Sequence, residues 1–362
     1  MPTRPLVTRY EDDLVLFPDL WHKLGLLAAA LALLLFPLVA SDYWLTVANN
    51  AMVAVVGAVA MMVLTGFAGQ VSLGHAAFLA VGAYTVAILG GSWGVPFWIA
   101  LPLAGLVAAG VGLAVGPFAL RLEGLYLAIV TVGLLFLVEQ GLRNGLDVAY
   151  GKDYLPVPME LGFGRPPPDA LGPFRTTTAL GSLEVRPDHK LYALFLVLTA
   201  VTVWVGRNIG RSNLGRAMMA VRDRDLAAST LGVHPGRTKL AAFGLSSFMA
   251  GVAGAMYACA HPVLTLEPFS LKMSIEYVAM VVLGGIGTIF GAVWGALAYT
   301  VLLPVAEQLG SVLPFPAGFT SEHQSVLIFF PLLCAFLVFE PLGLFGIWLR
   351  VKRYFLAWPF RY

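Results

Sequence analysis

The chain has 362 residues, of which 59% are hydrophobic and 12% are charged, and its formal net charge is +2. Soluble domains use about 45–50% apolar and about 25% charged residues, so this composition predicts an integral membrane protein. The small net charge, with basic residues grouped at the ends of apolar runs, argues against a nucleic-acid partner. Cys259 and Cys334 both lie in apolar runs, where a thiol behaves as a small hydrophobe, so neither a disulfide nor a metal site is expected.

The amino-terminal part begins with residues 1–23, which carry charges of both signs, and the first apolar run follows at 24–40. This run has no small-x-small cleavage site, so we expect a retained helix after a cytoplasmic amino-terminal segment rather than a signal peptide. Further runs of membrane length predict spans at 46–65, 73–89, 96–120, 125–146, 191–206, 240–260, 289–308 and 326–349.

The orientation of these spans follows from the basic residues. Lysine and arginine concentrate at 207–239 and in the tail 350–362, which places both segments in the cytoplasm. The run 273–285 is shorter than the roughly 17 residues of a straight span, so it is either a short tilted crossing or a re-entrant half-helix. Parity between the two basic segments favours a crossing. The prediction is an all-α polytopic protein of about ten transmembrane helices with both termini cytoplasmic.

Two glycine-rich breaks interrupt the apolar pattern, at 66–74 and 284–291, and parity places both near the cytoplasmic side. Gln70, Ser72 and His75 lie in or beside the first break, where freed backbone groups must find partners in protein or water. These side chains either line a polar path or only satisfy the broken backbone. Small residues at spacing four, Gly287, Gly291 and Gly295, predict a close helix contact, within the chain or with another subunit.

Charged residues near the predicted exterior form two pairs at spacing i, i+4: Glu139 with Arg143, and Lys272 with Glu276. Ion pairs that reach toward the membrane surface are the favoured interpretation, and contact of Glu139 or Glu276 with a polar solute is the alternative. The exterior loop 147–190 is rich in proline. It is either a solvated connector or a surface for an extracytoplasmic partner.

The cytoplasmic segment 207–239 contains signals for two short helices, at 215–221 and 226–231. Ser212 or Asn213 can cap the first helix and Asp225 the second. Two-turn helices are marginal in water, so they need a surface, either the ends of this chain's own helices or a cleft on a cytoplasmic partner. The apolar residues expected to be buried there are Met218, Val221, Leu226 and Leu231.

This segment, from Gly215-Arg-Ala-Met-Met-Ala-Val-Arg-Asp223 to Leu231-Gly-Val and 237–243, resembles the cytoplasmic coupling segment of branched-chain amino acid ABC-transporter permeases, of the LivM type. Further matches lie at 64–78, 82–84, 121–131 and 282–287, so the resemblance covers most of the chain between residues 46 and 349. The resemblance implies a single permease domain, 1–362, in a bacterial inner membrane. It also implies an importer in which this chain works with a second homologous permease, two ATP-binding subunits and an extracytoplasmic solute-binding protein.

The same resemblance indicates candidate functional residues. It implies that coupling to the ATPase involves Gly215, Arg216, Val221, Arg222, Asp223, Asp225, Ala227, Ala228, Leu231 and Gly232. Together with the breaks and ion pairs, it makes Gln70, Ser72, His75, Tyr84, Glu139 and Glu276 the candidates for the translocation path.

The resemblance implies that this chain is no enzyme and binds no cofactor, with ATP and Mg on partner subunits; the sequence contains no G-x-x-x-x-G-K-[ST] motif. The expected solutes are branched-chain or other hydrophobic amino acids. Residues 149–153 replace a glycine-rich signature usual in the family, and Arg224 and Ser229 stand where acids are common, so urea and short amides remain alternatives.

Two other function classes compete with this interpretation. An ion-coupled secondary transporter would place carboxylates near the membrane midplane, but Glu139, Glu276 and Glu307 lie toward helix ends. A membrane enzyme would need a clustered acid, base or metal constellation, and the six histidines show no close metal-ligand spacing.

Overall fold

The computed structural model describes residues 31–119, 122, 124–150, 154–156, 178–180, 183–185, 187–261, 263–312, 331, 334, 338, 340 and 343–357. The apolar runs form helices because a helix satisfies its backbone polar groups internally, as a membrane requires. In chain order the helices are α1 Asp42–Met61, α2 His75–Trp93, α3 Phe97–Ala119, α4 Leu125–Tyr150, α5 Pro187–Arg211, α6 Asn213–Asp223, α7 Asp225–Thr230, α8 Pro235–Ala260, α9 Leu271–Gly284, α10 Ile289–Val312 and α11 Gly343–Ala357.

The contacts divide the chain into Met1–Leu45 and Thr46–Tyr362. In the first unit residues 31–39 are helical, and apolar side chains such as Leu34 and Leu38 are exposed. A helix with exposed leucines on several sides is typical of a lipid-facing segment. Residues 1–30, which include the expected cytoplasmic segment and the start of the first apolar run, lie outside the described part.

The second unit is organised around α8, which packs against α2 and α3. The contacts are close because small residues meet backbone: a Cβ on Gly254 would lie 1.9 Å from the carbonyl oxygen of Leu79, and one on Gly82 would lie 2.1 Å from that of Gly251. Small residues of this kind let helices approach without a hydrophobic driving force, which is how helices associate in membranes.

Among the described residues, five helices are long and apolar enough to cross a membrane, or six if the bent pair α9 and α10 counts as one span. These findings support a multi-pass membrane protein. The chain turns by 118° between α9 and the first part of α10, so the two helices do not continue one another. Gly291 and Gly295 pack on α9 at this turn, since a Cβ on Gly295 would lie 1.9 Å from the carbonyl oxygen of Met280.

Two predictions about helix boundaries were wrong. Gly287 is not on the helix with Gly291 and Gly295, because α10 begins only at Ile289 and Gly287 lies in the break with φ +100°. The predicted span 326–349 is not continuous: Glu340 is outside a helix, and α11 starts at Gly343 and extends to Ala357. Gly343 has φ +67° and closely approaches the backbone of Leu283, a conformation and a contact that favour glycine. Most of 313–342 lies outside the described part.

Short strands occupy part of the connections between α4 and α5 and between α8 and α9. β1 Tyr154–Pro156 pairs antiparallel with β4 Val263–Thr265, and β2 Thr178–Leu180 pairs with β3 Leu183–Val185. The predicted loop 147–190 is shorter than expected, because α4 extends to Tyr150 and α5 begins at Pro187. The three consecutive prolines at 166–168 lie outside the described residues.

Candidate functional site

The first short helix of segment 207–239 is capped as predicted. The Ser212 Oγ accepts a hydrogen bond from the Gly215 N–H at 3.2 Å and donates one to the Ile209 carbonyl at 2.7 Å. A Cβ on Gly215 would lie 2.1 Å from that carbonyl oxygen, so glycine lets α6 start directly against the end of α5. Met218 and Val221 are buried, which confirms that α6 rests on the chain's own helix ends.

The second helix differs from the prediction at its start. Arg224, not Asp225, is the N-cap residue of α7, and Asp225 is the first helical residue. The Asp225 carboxylate forms an ion pair with Lys239 of α8, which is 8% exposed. A buried ammonium needs an anionic partner, and this requirement directs the Asp225 carboxylate away from a capping position. The pair ties α7 to the start of α8.

The prediction that four apolar residues of this segment are buried is half wrong. Leu226 and Leu231 are 84% and 83% exposed, whereas Met218 and Val221 are buried. The segment therefore has an inner face against the chain and an outer face. The buried members of the predicted coupling set are Gly215, Val221 and Ala228; Asp225 is half-buried; the exposed ones are Arg216, Arg222, Asp223, Ala227, Leu231 and Gly232.

The end of α6 meets the first glycine-rich break. There α1 continues as a π-helix, Met62–Phe67, and the Arg222 Nη1 donates a hydrogen bond of 2.6 Å to the Gly66 carbonyl. The Arg222 Nε and Nη2 also donate to the Asp223 carboxylate, at 3.1 and 3.0 Å. Gly69 has φ +69°, and a Cβ there would lie 2.5 Å from the Arg222 Cγ. The arginine thus sits in a space that a side chain at position 69 would fill.

The second glycine-rich break reaches the same point. The Gly287 N–H donates to the Met62 Sδ at 3.3 Å, and a Cβ on Gly287 would lie 3.7 Å from the Arg222 Nη1. We call the group of Met62, Gly66, Gly69, Arg222 and Gly287 the coupling junction. It joins segment 207–239 to the first break through the Arg222 guanidinium group, and the first break to the second through Met62. A cleft of about 280 Å³ borders it, lined in part by Gln70, Arg224, Asp225 and Lys239.

Sequence reasoning located both breaks but missed the π-helix and the role of Arg222 between them. π-Helical turns occur mostly as insertions at functional sites and leave carbonyls without their usual partners. Nothing in the local pattern of 62–67 distinguishes such a turn from an ordinary helix. The only available signal was the glycine spacing at positions 66 and 69.

The polar residues of the first break mostly satisfy backbone. Ser72 Oγ accepts from the Gly74 N–H at 3.3 Å, and the His75 Nε2 lies 3.0 Å from the Gly57 carbonyl oxygen. Side chains of neighbouring helices accept hydrogen bonds from two further backbone N–H groups of this region. Thr131 Oγ1 of α4 accepts from the Leu73 N–H, and Ser274 Oγ of α9 accepts from the Ala76 N–H, both at 3.0 Å.

Gln70 behaves differently from these residues. It is 5% exposed, and its side-chain nitrogen and oxygen have no hydrogen-bond partner among the residues that the structure describes. Burying an amide without hydrogen bonds is costly. A bound molecule, or another conformation of this chain, that brings a polar group to the Gln70 amide would therefore be stabilised.

The remaining candidates lie outside the break. Tyr84 is buried and packs edge-on against Phe269, whose ring also contacts Tyr257. Glu139 and Arg143 form the expected pair at 3.5 Å.

Lys272 and Glu276 form the second expected pair, at 3.9 Å. The structure brings α9 to the break through other side chains. Ser274 bonds the backbone there, and Tyr277 contacts His75 with ring centroids 5.1 Å apart.

Comparison with known proteins gives consistent matches. The model for the branched-chain amino acid transport system permease component matches residues 43–336. The high-affinity branched-chain amino acid transport system permease protein LivM of Salmonella typhimurium is 34% identical over 80% of this chain and 68% of its own length. LivM of Escherichia coli is 33% identical over the same shares, and LivH of Salmonella typhimurium is 33% identical over 42% of this chain and 44% of its own. No solved structure matches the chain.

Proposed function

Since this chain belongs to the branched-chain amino acid transport permease family, as a LivM-type member, we propose that it is a transmembrane subunit of an ATP-binding cassette importer that forms half of the path for branched-chain or other hydrophobic amino acids. The observation that carries this proposal is the coupling junction, because it connects an exposed cytoplasmic surface to the two helix breaks.

The proposed topology is one permease domain over 1–362, with about ten transmembrane helices and both termini cytoplasmic. Its segments are a cytoplasmic amino terminus at 1–23, an extracytoplasmic loop at 147–190, a coupling segment at 207–239 and a cytoplasmic tail at 350–362. The family supports placement in a bacterial inner membrane.

The proposed partners are a second homologous permease, two ATP-binding subunits and an extracytoplasmic solute-binding protein. LivM and LivH are both named as permease proteins of a high-affinity branched-chain amino acid transport system, and both are similar to this chain. That supports a pair of related permeases around one path. ATP and Mg would then be bound and used by the partner subunits, and this chain would carry no catalytic residue.

The outer face of the coupling segment is the proposed docking surface for an ATP-binding subunit. Leu226 and Leu231 are the large apolar side chains exposed on it. Complete burial of a leucine stabilises an interface by about 1.5–3 kcal/mol, so these two side chains can anchor a partner. The outer face moves with the inner face because Met218 and Val221 are packed below it and Asp225 is tied to Lys239.

Transmission to the membrane domain is proposed to pass through Arg222. A shift of α6 displaces its guanidinium group from the Gly66 carbonyl or moves the π-helix with it. Hydrogen bonds to a charged group contribute about 1.5–3 kcal/mol, which is enough to bias a two-state element by more than tenfold. Movement of Met62 would also reach Gly287, so both breaks would respond together.

The path is proposed to pass the first break, where Gln70, Ser72 and His75 are buried among helices. Gln70 is the strongest candidate to meet a polar group of the solute, because its amide has no partner among the described residues. Tyr84, Glu139 and Glu276 are proposed for the exterior part of the path.

The proposal is tested by reconstituting the complete importer in proteoliposomes with its binding protein. We expect ATP-dependent uptake of labelled leucine that unlabelled isoleucine and valine inhibit. Leu226→Asp with Leu231→Asp should abolish both uptake and ATP hydrolysis stimulated by the binding protein, because ATP-binding subunits no longer dock. Leu226→Met with Leu231→Met, which keeps both side chains apolar, is the matched control and should retain uptake and stimulated ATP hydrolysis.

Competition by urea or short amides without competition by leucine would replace the proposed solute. Uptake that persists without ATP-binding subunits and depends on an ion gradient would replace the proposed transport class.

A further inference from the structure

An apolar groove of about 530 Å³ lies between α10 and α11. Every residue that lines it is apolar, and Phe290, Trp294, Trp348 and Val351 are among them. Trp294 and Trp348 are 59% and 61% exposed, so the groove is open on the outside of the chain. Its volume is within the range of about 300–1,000 Å³ that is typical of small-molecule sites.

One wall of the groove is an amphipathic helix. Along α11, Leu344, Ile347, Trp348 and Val351 follow the i, i+3, i+4, i+7 spacing of one helix face, and all line the groove. The sequence of α11 also contains three basic residues at 350, 352 and 353. A helix with Trp, Phe and Leu on one side and basic residues elsewhere is typical of the membrane–water interface.

Basic groups adjoin the groove at the end formed by α10. The Arg207 guanidinium carbon lies 5.5 Å from the centroid of the Phe290 ring. Arg211 follows one helical turn later on the same face of α5 and is exposed. At the α11 wall, Arg350 pairs with Glu340 at 2.6 Å, which balances its charge. Arg207 and Arg211 of α5 thus bring positive charge to the Phe290 end of the groove.

We propose that this groove binds one acyl chain of an anionic phospholipid, with the phosphate against Arg207 and Arg211. An apolar groove with cationic groups at one end is complementary to a molecule with an apolar tail and an anionic head. The inference depends on the proposed topology, which places the end of α5 at the cytoplasmic leaflet, where anionic lipids and basic pockets between helices meet. Trp294 and Trp348 also fit that depth, since tryptophan is enriched at membrane interfaces.

The proposed lipid would have a structural consequence for the second break. Phe290 follows that break by a few residues, and Gly343 at the start of α11 closely approaches the Leu283 carbonyl and the Gly285 nitrogen. A bound acyl chain would hold α10 and α11 together at the turn between α9 and α10. The lipid would thus stabilise the arrangement of Gly287 relative to Arg222.

The test uses the assembled importer, purified in mild detergent from its native membrane. Lipids retained by the complex are extracted and measured by mass spectrometry for the wild type and for Arg207→Gln and Trp294→Ala. We expect retained phosphatidylglycerol to fall several-fold in both variants, with phosphatidylethanolamine unchanged. Arg237→Gln and Trp98→Ala are matched controls, because Arg237 and Trp98 are exposed on other helices and do not line the groove. Size-exclusion chromatography verifies that each complex is intact.

Equal retention of phosphatidylglycerol in all variants would overturn the proposal. So would a disulfide formed under mild oxidation between Trp348→Cys and a cysteine introduced into the second permease, because it would identify the groove as a subunit interface. Leucine uptake is measured on the same complexes. If Arg207→Gln lowers the retained phosphatidylglycerol but the wild-type complex does not take up leucine, the proposed solute is contradicted and the lipid site is still supported.

Discussion

The two glycine-rich breaks approach each other at the coupling junction, yet they are held in different ways. The first break is held by hydrogen bonds, with Thr131 and Ser274 of other helices bonded to its backbone and the His75 ring bonded to the Gly57 carbonyl. The second is held by close backbone contact, in which Gly284 and Gly291 approach each other without room for a Cβ. The first break should therefore be sensitive to loss of hydrogen bonds, and the second to added volume.

The largest effect is expected from added volume at the second break. Gly295→Leu places a side chain where a Cβ would already lie 1.9 Å from the Met280 carbonyl oxygen. Overpacking of this kind costs about 1–3 kcal/mol, and more where backbone has to move. We expect loss of α9–α10 packing and a strongly reduced yield of assembled complex on size-exclusion chromatography.

The control for that variant is Gly133→Leu in α4, where nothing lies within 4 Å of the added Cβ. It should assemble normally. Normal assembly of Gly295→Leu would show that α9 and α10 are not in the close contact described here.

At Arg222 we expect a smaller effect on stability but a large effect on activity. Arg222→Gln removes the charged donor to the Gly66 carbonyl. We expect the complex to assemble, with leucine taken up per ATP hydrolysed reduced about tenfold, since the bond contributes about 1.5–3 kcal/mol to positioning the π-helix. Arg222→Lys should recover part of the loss, because it restores a cation without the planar donor group.

Arg237→Gln provides the comparison, because it removes an exposed arginine elsewhere in segment 207–239. The ratio of leucine uptake to ATP hydrolysis should fall in Arg222→Gln and stay at the wild-type value in Arg237→Gln. If the ratio is unchanged in both variants, Arg222 does not act in coupling.

The smallest effect is expected from a single polar contact at the first break. Thr131→Val keeps the side-chain shape but leaves the Leu73 N–H without its acceptor. The expected cost is about 1–3 kcal/mol, seen as a lower midpoint of thermal unfolding in detergent. Thr85→Val is the matched control, because the Thr85 hydroxyl bonds the Val81 carbonyl one turn away in its own helix. An unchanged midpoint for Thr131→Val would mean that the first break does not depend on α4.

Much of this organisation was accessible from local pattern. The Ser212 cap, the two ion pairs and the positions of the breaks all depend on residues a few positions apart, and each was found. The failures share a cause. Asp225 pairs with Lys239, fourteen positions away, rather than capping its own helix, and Leu226 remains exposed although its apolar character predicted burial.

The sequence by itself determined the class of protein, the approximate apolar helices and the capped helix of segment 207–239, because hydropathy and capping act over one element at a time. Only the tertiary structure decided that α6 has an inner face and α7 an exposed one, that α9 and α10 turn by 118°, and that Arg222 bonds the first break while Met62 bonds the second. Those features depend on which backbone carbonyls approach one another between distant segments. No single stretch of residues encodes that geometry, since it results from the packing of all the helices together.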